Sequence, residues 1–134
     1  MKADIWNVLH DGSILEVSGT VPGDVQMAVS IEYLRNRFPD PGERIIVTLH
    51  GCSALSYKPF EEDETITVPG AIGRAQPEIL RAKDWTDASV VECVGGTIRV
   101  TASDFSIALD SGRTITFEEL CAVAEAYWAQ SSQD

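Results

Sequence analysis

The run Arg44 to Leu49, RIIVTL, constrains the fold more than any other stretch. β-Branched Ile45, Ile46 and Val47 follow one another, with Leu49 two residues on, Pro41-Gly42 before them and Gly51 after. A short apolar run between chain breakers reads as a strand buried on both faces rather than a helix. It predicts a central strand of a sheet. Beyond Gly51, Leu55, Tyr57 and Pro59 alternate with Ser56, Lys58 and Phe60. The chain is therefore expected to turn there and continue as a less buried strand.

Strands dominate the remainder. Ile5, Trp6, Val8 and Leu9, then His10-Asp11-Gly12, then Ile14, Leu15 and Val17 read as a hairpin with Asp-Gly in its turn. The turn Val21-Pro22-Gly23-Asp24 leads into Val25, Met27, Val29 and Ile31, whose spacing of two marks a half-buried strand. Glu32 to Phe38 suits two helical turns with Leu34 and Phe38 on one side, ended by Pro39 and Pro41, and makes Arg35 and Arg37 a local basic spot. Pro69 to Pro77 is broken by Gly and Pro and reads as a loop with room for one helical turn. Ile79–Trp85, Ser89–Val94, Thr97–Ala102 and Phe105–Leu109 read as an antiparallel meander, with Gly95-Gly96 as a two-residue turn.

After the turn Asp110 to Arg113, a helix is expected from Phe117 to about Gln130. Thr116 and Glu119 form a capping box there, and Ile115 with Leu120 a hydrophobic staple. Leu120, Cys121, Ala124, Tyr127 and Trp128 supply its apolar stripe, and Ser131 to Asp134 should fray. The fold class is α+β: a mostly antiparallel, strongly twisted sheet of about eight short strands with one C-terminal helix packed on it. At 134 residues one domain spans 1–134 and one core suffices.

Charge narrows the partners. The net charge is −11, and it is uneven: residues 1–60 hold seven acids and five bases, 61–134 fourteen acids and five bases, so −2 against −9. Such a surface repels nucleic acid and anionic membranes and favours a basic protein partner. Glu61, Glu62, Asp63 and Glu64 stand in succession. They cannot enter a core, so an exposed loop or strand end is implied, and they are the expected partner-binding residues. No stretch approaches the roughly 20 apolar residues of a membrane span. MKADIWNVLHDG carries charges where a signal peptide would be apolar, so a cytoplasmic location is expected.

Motifs for chemistry are sparse. Cys52, Cys93 and Cys121 are odd in number and far apart, which predicts reduced, mostly buried thiols. His50 and Cys52, two apart on an extended strand, would face the same way and make a nucleophile and base, although Gly51 weakens that geometry. His10, His50 and Cys52 have no spacing that specifies a metal, and the acidic run lacks the alternation of a calcium loop. No phosphate loop, dinucleotide fingerprint or serine elbow occurs. No cofactor or metal is expected, and no catalytic residue is assigned. Most of Trp6, Tyr33, Tyr57, Trp85, Tyr127 and Trp128 are expected in the core.

The segments IWNVLHDG at 5–12, VPGDV at 21–25, YLRNRF at 33–38, LHGC at 49–52 and SIALDSGRTITFEEL with AYW between 106 and 128 resemble a group of small acidic bacterial proteins of unassigned function. That resemblance spans nearly the whole chain and implies a shared fold, since the segments are turns, strands and a helix cap. By size, acidity and lack of a catalytic signature the chain also resembles the immunity proteins that neutralise contact-dependent bacterial toxins. The expectation is a non-enzymatic protein that binds a basic toxin domain such as a nuclease. Two alternatives stay open: a small-ligand or metal-binding protein using His50 and Cys52, and an oligomeric scaffold, such as a homodimer, pairing through exposed edge strands.

Overall fold

A computed structural model describes residues 3–132. In chain order the elements are α1 (Asp4–Val8), β1 (Ser13–Gly19), β2 (Gly23–Ser30), α2 (Glu32–Arg35), β3 (Arg44–Cys52), β4 (Ala54–Pro59), α3 (Pro69–Ala75), β5 (Glu78–Trp85), β6 (Ala88–Val94), β7 (Gly96–Thr101), β8 (Asp104–Leu109), β9 (Thr114–Ile115) and α4 (Phe117–Ser132). The strands form one antiparallel sheet in the order β4-β7-β6-β5-β1-β2-β3-β8-β9. This is the expected α+β fold; the additional strand is the two-residue β9.

β3 is interior to the sheet, between β2 and β8. It is buried on one face only. Ile45, Val47 and Leu49 point into the core while Ile46, Thr48 and His50 are half-buried. One face of an antiparallel sheet can stay open to water, so β3 alternates much as β2 does, where Val25, Met27 and Val29 are buried.

The strand order explains how a single sheet encloses a core. Ser53 alone separates β3 from β4, and Ala102-Ser103 alone separate β7 from β8. Across the corner Ser53 N donates to Thr101 O and Ser103 N to His50 O, each at 2.9 Å. The β4–β7 and β3–β8 pairings are thus two halves of one long bent ribbon, although β4 and β3 lie far apart in the strand order. Consecutive Cα atoms are only about 3.8 Å apart, so the sheet must curl until its two ends meet at this ribbon. The expected four-strand meander is accordingly only β5-β6-β7; β8 runs straight on from β7 and pairs with β3. The β6–β7 turn is Val94-Gly95, with Cys93 opposite Gly96.

Three other expectations change. Residues Ile5 to Leu9 do not form the first strand of a hairpin but belong to α1 and its end, with Ile5, Trp6 and Leu9 buried at helical spacing. Asn7 there substitutes for a strand: its Nδ2 donates to Ala82 O (2.9 Å) and its Oδ1 accepts from Ala82 N (2.8 Å). The segment after Pro69 is the helix α3, started by Pro at its first turn and ended by Gln76 in the left-handed conformation. Gly73 is a contact residue rather than a breaker. A Cβ there would fall 2.7 Å from Val17 N, and this close approach lets α3 cover β1, which pairs with β2 along its length but with β5 only at Ser13–Glu78.

Arg35 is the third. It is 1% exposed and forms no basic spot. Its Nε and Nη2 donate to Asp110 Oδ1 at 3.0 and 2.9 Å, and its nitrogens also reach the carbonyls of Asp40, Pro41 and Arg44. A buried guanidinium requires this many acceptors, and the clamp ties the loop after α2 to the turn after β8.

The C-terminal helix matches its expected start. Glu119 N donates to Thr116 Oγ1 (3.0 Å) and Thr116 N to Glu119 Oε1 (3.2 Å), which completes the capping box. Ile115, Leu120 and Ala124 join the core cluster, and the helix meets α1 and α2. It continues to Ser132; the fraying expected for residues 133–134 lies outside the described residues. All three cysteines are free, Cys52 and Cys93 buried and Cys121 partly exposed. No helix among the described residues is long and apolar enough to cross a membrane.

Candidate functional site

The loop following β4 is built to stand away from the sheet. Phe60 N donates to Gly95 O (2.9 Å), which fastens the loop to the β6–β7 turn. Ile66 and Tyr57 exchange two backbone hydrogen bonds of 2.8 Å, closing its other end. Between these anchors Glu61, Glu62, Asp63 and Glu64 are all exposed. Lys58, the neighbouring base, turns its Nζ to the carbonyl oxygens of Glu62 (2.8 Å) and Pro59 (3.4 Å). It therefore steadies the loop backbone without pairing with a carboxylate. Among the described residues no ion pair involves any of the four acids.

Beside these charges lie two apolar side chains with no cover. Phe60 is 66% and Val94 56% exposed, and Val94 immediately precedes Gly95, whose carbonyl accepts the hydrogen bond from Phe60 N. A hollow of about 330 Å³ opens between Pro59, Phe60, Glu61, Glu62 and Gly95. An apolar centre rimmed by charge is the usual anatomy of a protein-binding surface. The four acids were legible in the sequence; Val94 was not, because its neighbour Phe60 comes from a different strand.

Several other second-half carboxylates are engaged. Arg81 pairs with Glu92, Arg113 with Glu119 at 3.5 Å, and Arg35 with Asp110. Asp84 accepts from Ala3 N (3.1 Å) and Ser89 Oγ (2.9 Å). The surplus charge is therefore neither spread evenly nor wholly neutralised, and the 61–64 loop keeps four adjacent charges without partners.

The structure separates His50 from Cys52. Gly51 has φ +59°, and the register slips between Gly23 and Val25 on the facing strand. One residue in the left-handed region breaks the two-residue alternation, so His50 stays at the surface while Cys52 is wholly buried. His50 Nε2 shares a 2.8 Å hydrogen bond with Ser106 Oγ, whereas Cys52 Sγ contacts Ala54 O at 3.4 Å. Burial pushes the Cys52 thiol up, the opposite of what a nucleophile needs. Asp24, which the sequence did not single out, sits opposite this bend. Gly51 N donates to its Oδ1 (2.9 Å), and that bond, helped by His50 and opposed by desolvation, holds the Asp24 carboxyl below its ordinary range.

His10 is elsewhere, stacked on Trp128 with ring centroids 5.4 Å apart. Among the described residues no group of three His, Cys, Asp or Glu is placed to hold a metal. Tyr33 and Tyr127 complete an aromatic cluster with His10 and Trp128. Tyr33 OH donates to His10 O at 2.7 Å. Burial, with Asp11 and Tyr127 nearby, pushes that phenol up to about 12. Trp6 and Tyr57 are core residues, while Trp85 and Trp128 are exposed.

No family model, no curated protein and no solved structure matches this chain. Function rests on the surface itself.

Proposed function

We propose that the chain is a non-enzymatic binding protein that occludes a basic protein partner, most concretely an immunity protein acting in the cytoplasm on a toxin domain such as a nuclease. One observation carries this reading: four adjacent exposed carboxylates without ion-pair partners among the described residues follow directly on the uncovered Phe60, whose backbone is bonded to Gly95 next to the uncovered Val94. Glu61, Glu62, Asp63 and Glu64 would meet lysines and arginines, acting mainly on association rate and specificity. Phe60 and Val94 would form the dry centre that holds the complex once formed.

Capture of partners by the tagged protein from its own cell lysate at low salt tests the class of partner. Kinetics with the purified partner test the mechanism. Replacing Glu61, Glu62, Asp63 and Glu64 by their amides should slow association at least about tenfold at low salt and barely change dissociation. Phe60→Ala should instead speed dissociation by about tenfold or more. An association rate indifferent to salt, or to the four amide substitutions, defeats the reading.

A further inference from the structure

A second surface feature, independent of the acidic loop, lies between α1 and α4. The two helices leave a groove of about 340 Å³ whose lining includes Val8, Cys121 and Ala124, with His10 and Trp128 along it. Trp128 is 43% exposed. Its ring is stacked within 17° of parallel on that of His10, and both side chains line the groove.

Carboxylates gather at the same place. Glu125 lines the groove, Glu118 and Glu125 stand three before and four after Cys121 on one face of α4, and Asp4 opens α1, which packs against α4; after burial, all three contribute to pushing the Cys121 thiol up. Each is exposed and has no ion-pair partner among the described residues. Neither α1 nor α4 carries a lysine or arginine. Arg37, at the end of α2, is engaged with Gln130 Oε1 (2.5 Å) and the Tyr127 ring.

We propose that this groove binds a small organic cation with a flat apolar body, of the arylamidinium or arylguanidinium type, its ring packed beside the exposed Trp128 and its charge toward Glu125, Glu118 and Asp4. Indole rings attract cations, an exposed aromatic side chain favours contact with another ring, and unpaired carboxylates disfavour a neutral or anionic ligand. The volume suits a ligand of one or two rings, at the small end of the roughly 300–1,000 Å³ typical of small-molecule sites.

Benzamidinium chloride is the probe and neutral benzamide its isostere. In a Trp85→Phe background, where Trp128 is the exposed indole, benzamidinium should quench emission saturably in the millimolar range. Amide shifts should map to Asn7, Val8, Ala124 and Glu125. Benzamide should bind at least about fivefold more weakly. Glu125→Gln, which keeps the shape, should weaken benzamidinium by about two- to fivefold, the range expected of an exposed charge pair. Trp128→Ala, first checked for an unchanged melting transition, should abolish saturation. Equal binding of the two probes, no saturation, an unaltered affinity in Glu125→Gln, or shifts clustered elsewhere would each overturn the proposal. None of these outcomes depends on the acidic loop, so the two readings fail separately.

Discussion

Replacing Asp110 by asparagine tests the clamp that locks the long α2–β3 connection. The Asp110 carboxylate accepts four hydrogen bonds: two from Arg35, at 3.0 and 2.9 Å, and one each from Glu43 N (2.8 Å) and Arg44 N (3.0 Å). Removing its charge leaves the Arg35 guanidinium, 1% exposed, with only carbonyl acceptors. Breaking a buried ion pair by deleting one member costs about 3–5 kcal/mol. The Asp110 side chain is itself 26% exposed, so we expect the lower end, about 3 kcal/mol. For a domain this size that is a fall in Tm of about 10 °C.

The pH dependence has a definite sign. Burial alone would raise the Asp110 pKa, but the Glu43 and Arg44 amides and the Arg35 guanidinium outweigh it and hold it below 3.8. A carboxylate with a depressed folded pKa stabilises above its unfolded value and loses that contribution as the pH falls through the folded one. Urea unfolding of the wild type and Asp110→Asn should therefore differ most at neutral pH and converge below pH 3.8. Arg35→Met and the double variant complete a cycle whose coupling should be about 2 kcal/mol. A cost under about 1 kcal/mol at pH 7, or strictly additive single substitutions, would refute the clamp.

Three further outcomes follow from particular contacts. Thr116→Ala, which removes the hydroxyl bonded to Glu119 N, should cost about 1 kcal/mol in chemical denaturation. Gly73→Ala places a methyl 2.7 Å from Val17 N and should cost about 1–3 kcal/mol, with hydrogen exchange rising in α3 and β1; unchanged protection would show that the helix does not rest on that strand. With a disulfide reagent near pH 8, Cys121 alone should react in the folded protein. Cys52 is fully buried, and desolvation pushes the Cys93 thiol up to about 12, so both should titrate only after unfolding; rapid labelling of three thiols would contradict the packing.

Local signals were readable where the responsible groups are close in the chain. The β2 alternation, the Thr116–Glu119 box and the exposure of four successive acids each depend on neighbours a few residues away, and each appears in the structure. Ile5 to Leu9 was ambiguous for the opposite reason. Ile5, Trp6, Val8 and Leu9 suit either a strand or one face of a short helix, and the choice fell to Asn7 bonding both backbone groups of Ala82, 75 residues away.

The candidate surface divides in the same way. Glu61, Glu62, Asp63 and Glu64 declare themselves by charge, since four carboxylates cannot leave water in any fold of this chain. Phe60 and Val94 come to the same end of the sheet only because the β6–β7 turn is hydrogen-bonded to the end of β4. His50 and Cys52 part company because Gly51 takes φ +59° at a corner whose existence depends on Ser103 and Thr101 crossing it. Composition and local pattern settled the class of fold and where the charge is worn. Burial of Arg35, the curl of the sheet and the seating of α1 against α4 came only with tertiary structure, because each depends on residues tens of positions apart finding one another, and no local sequence pattern records that meeting.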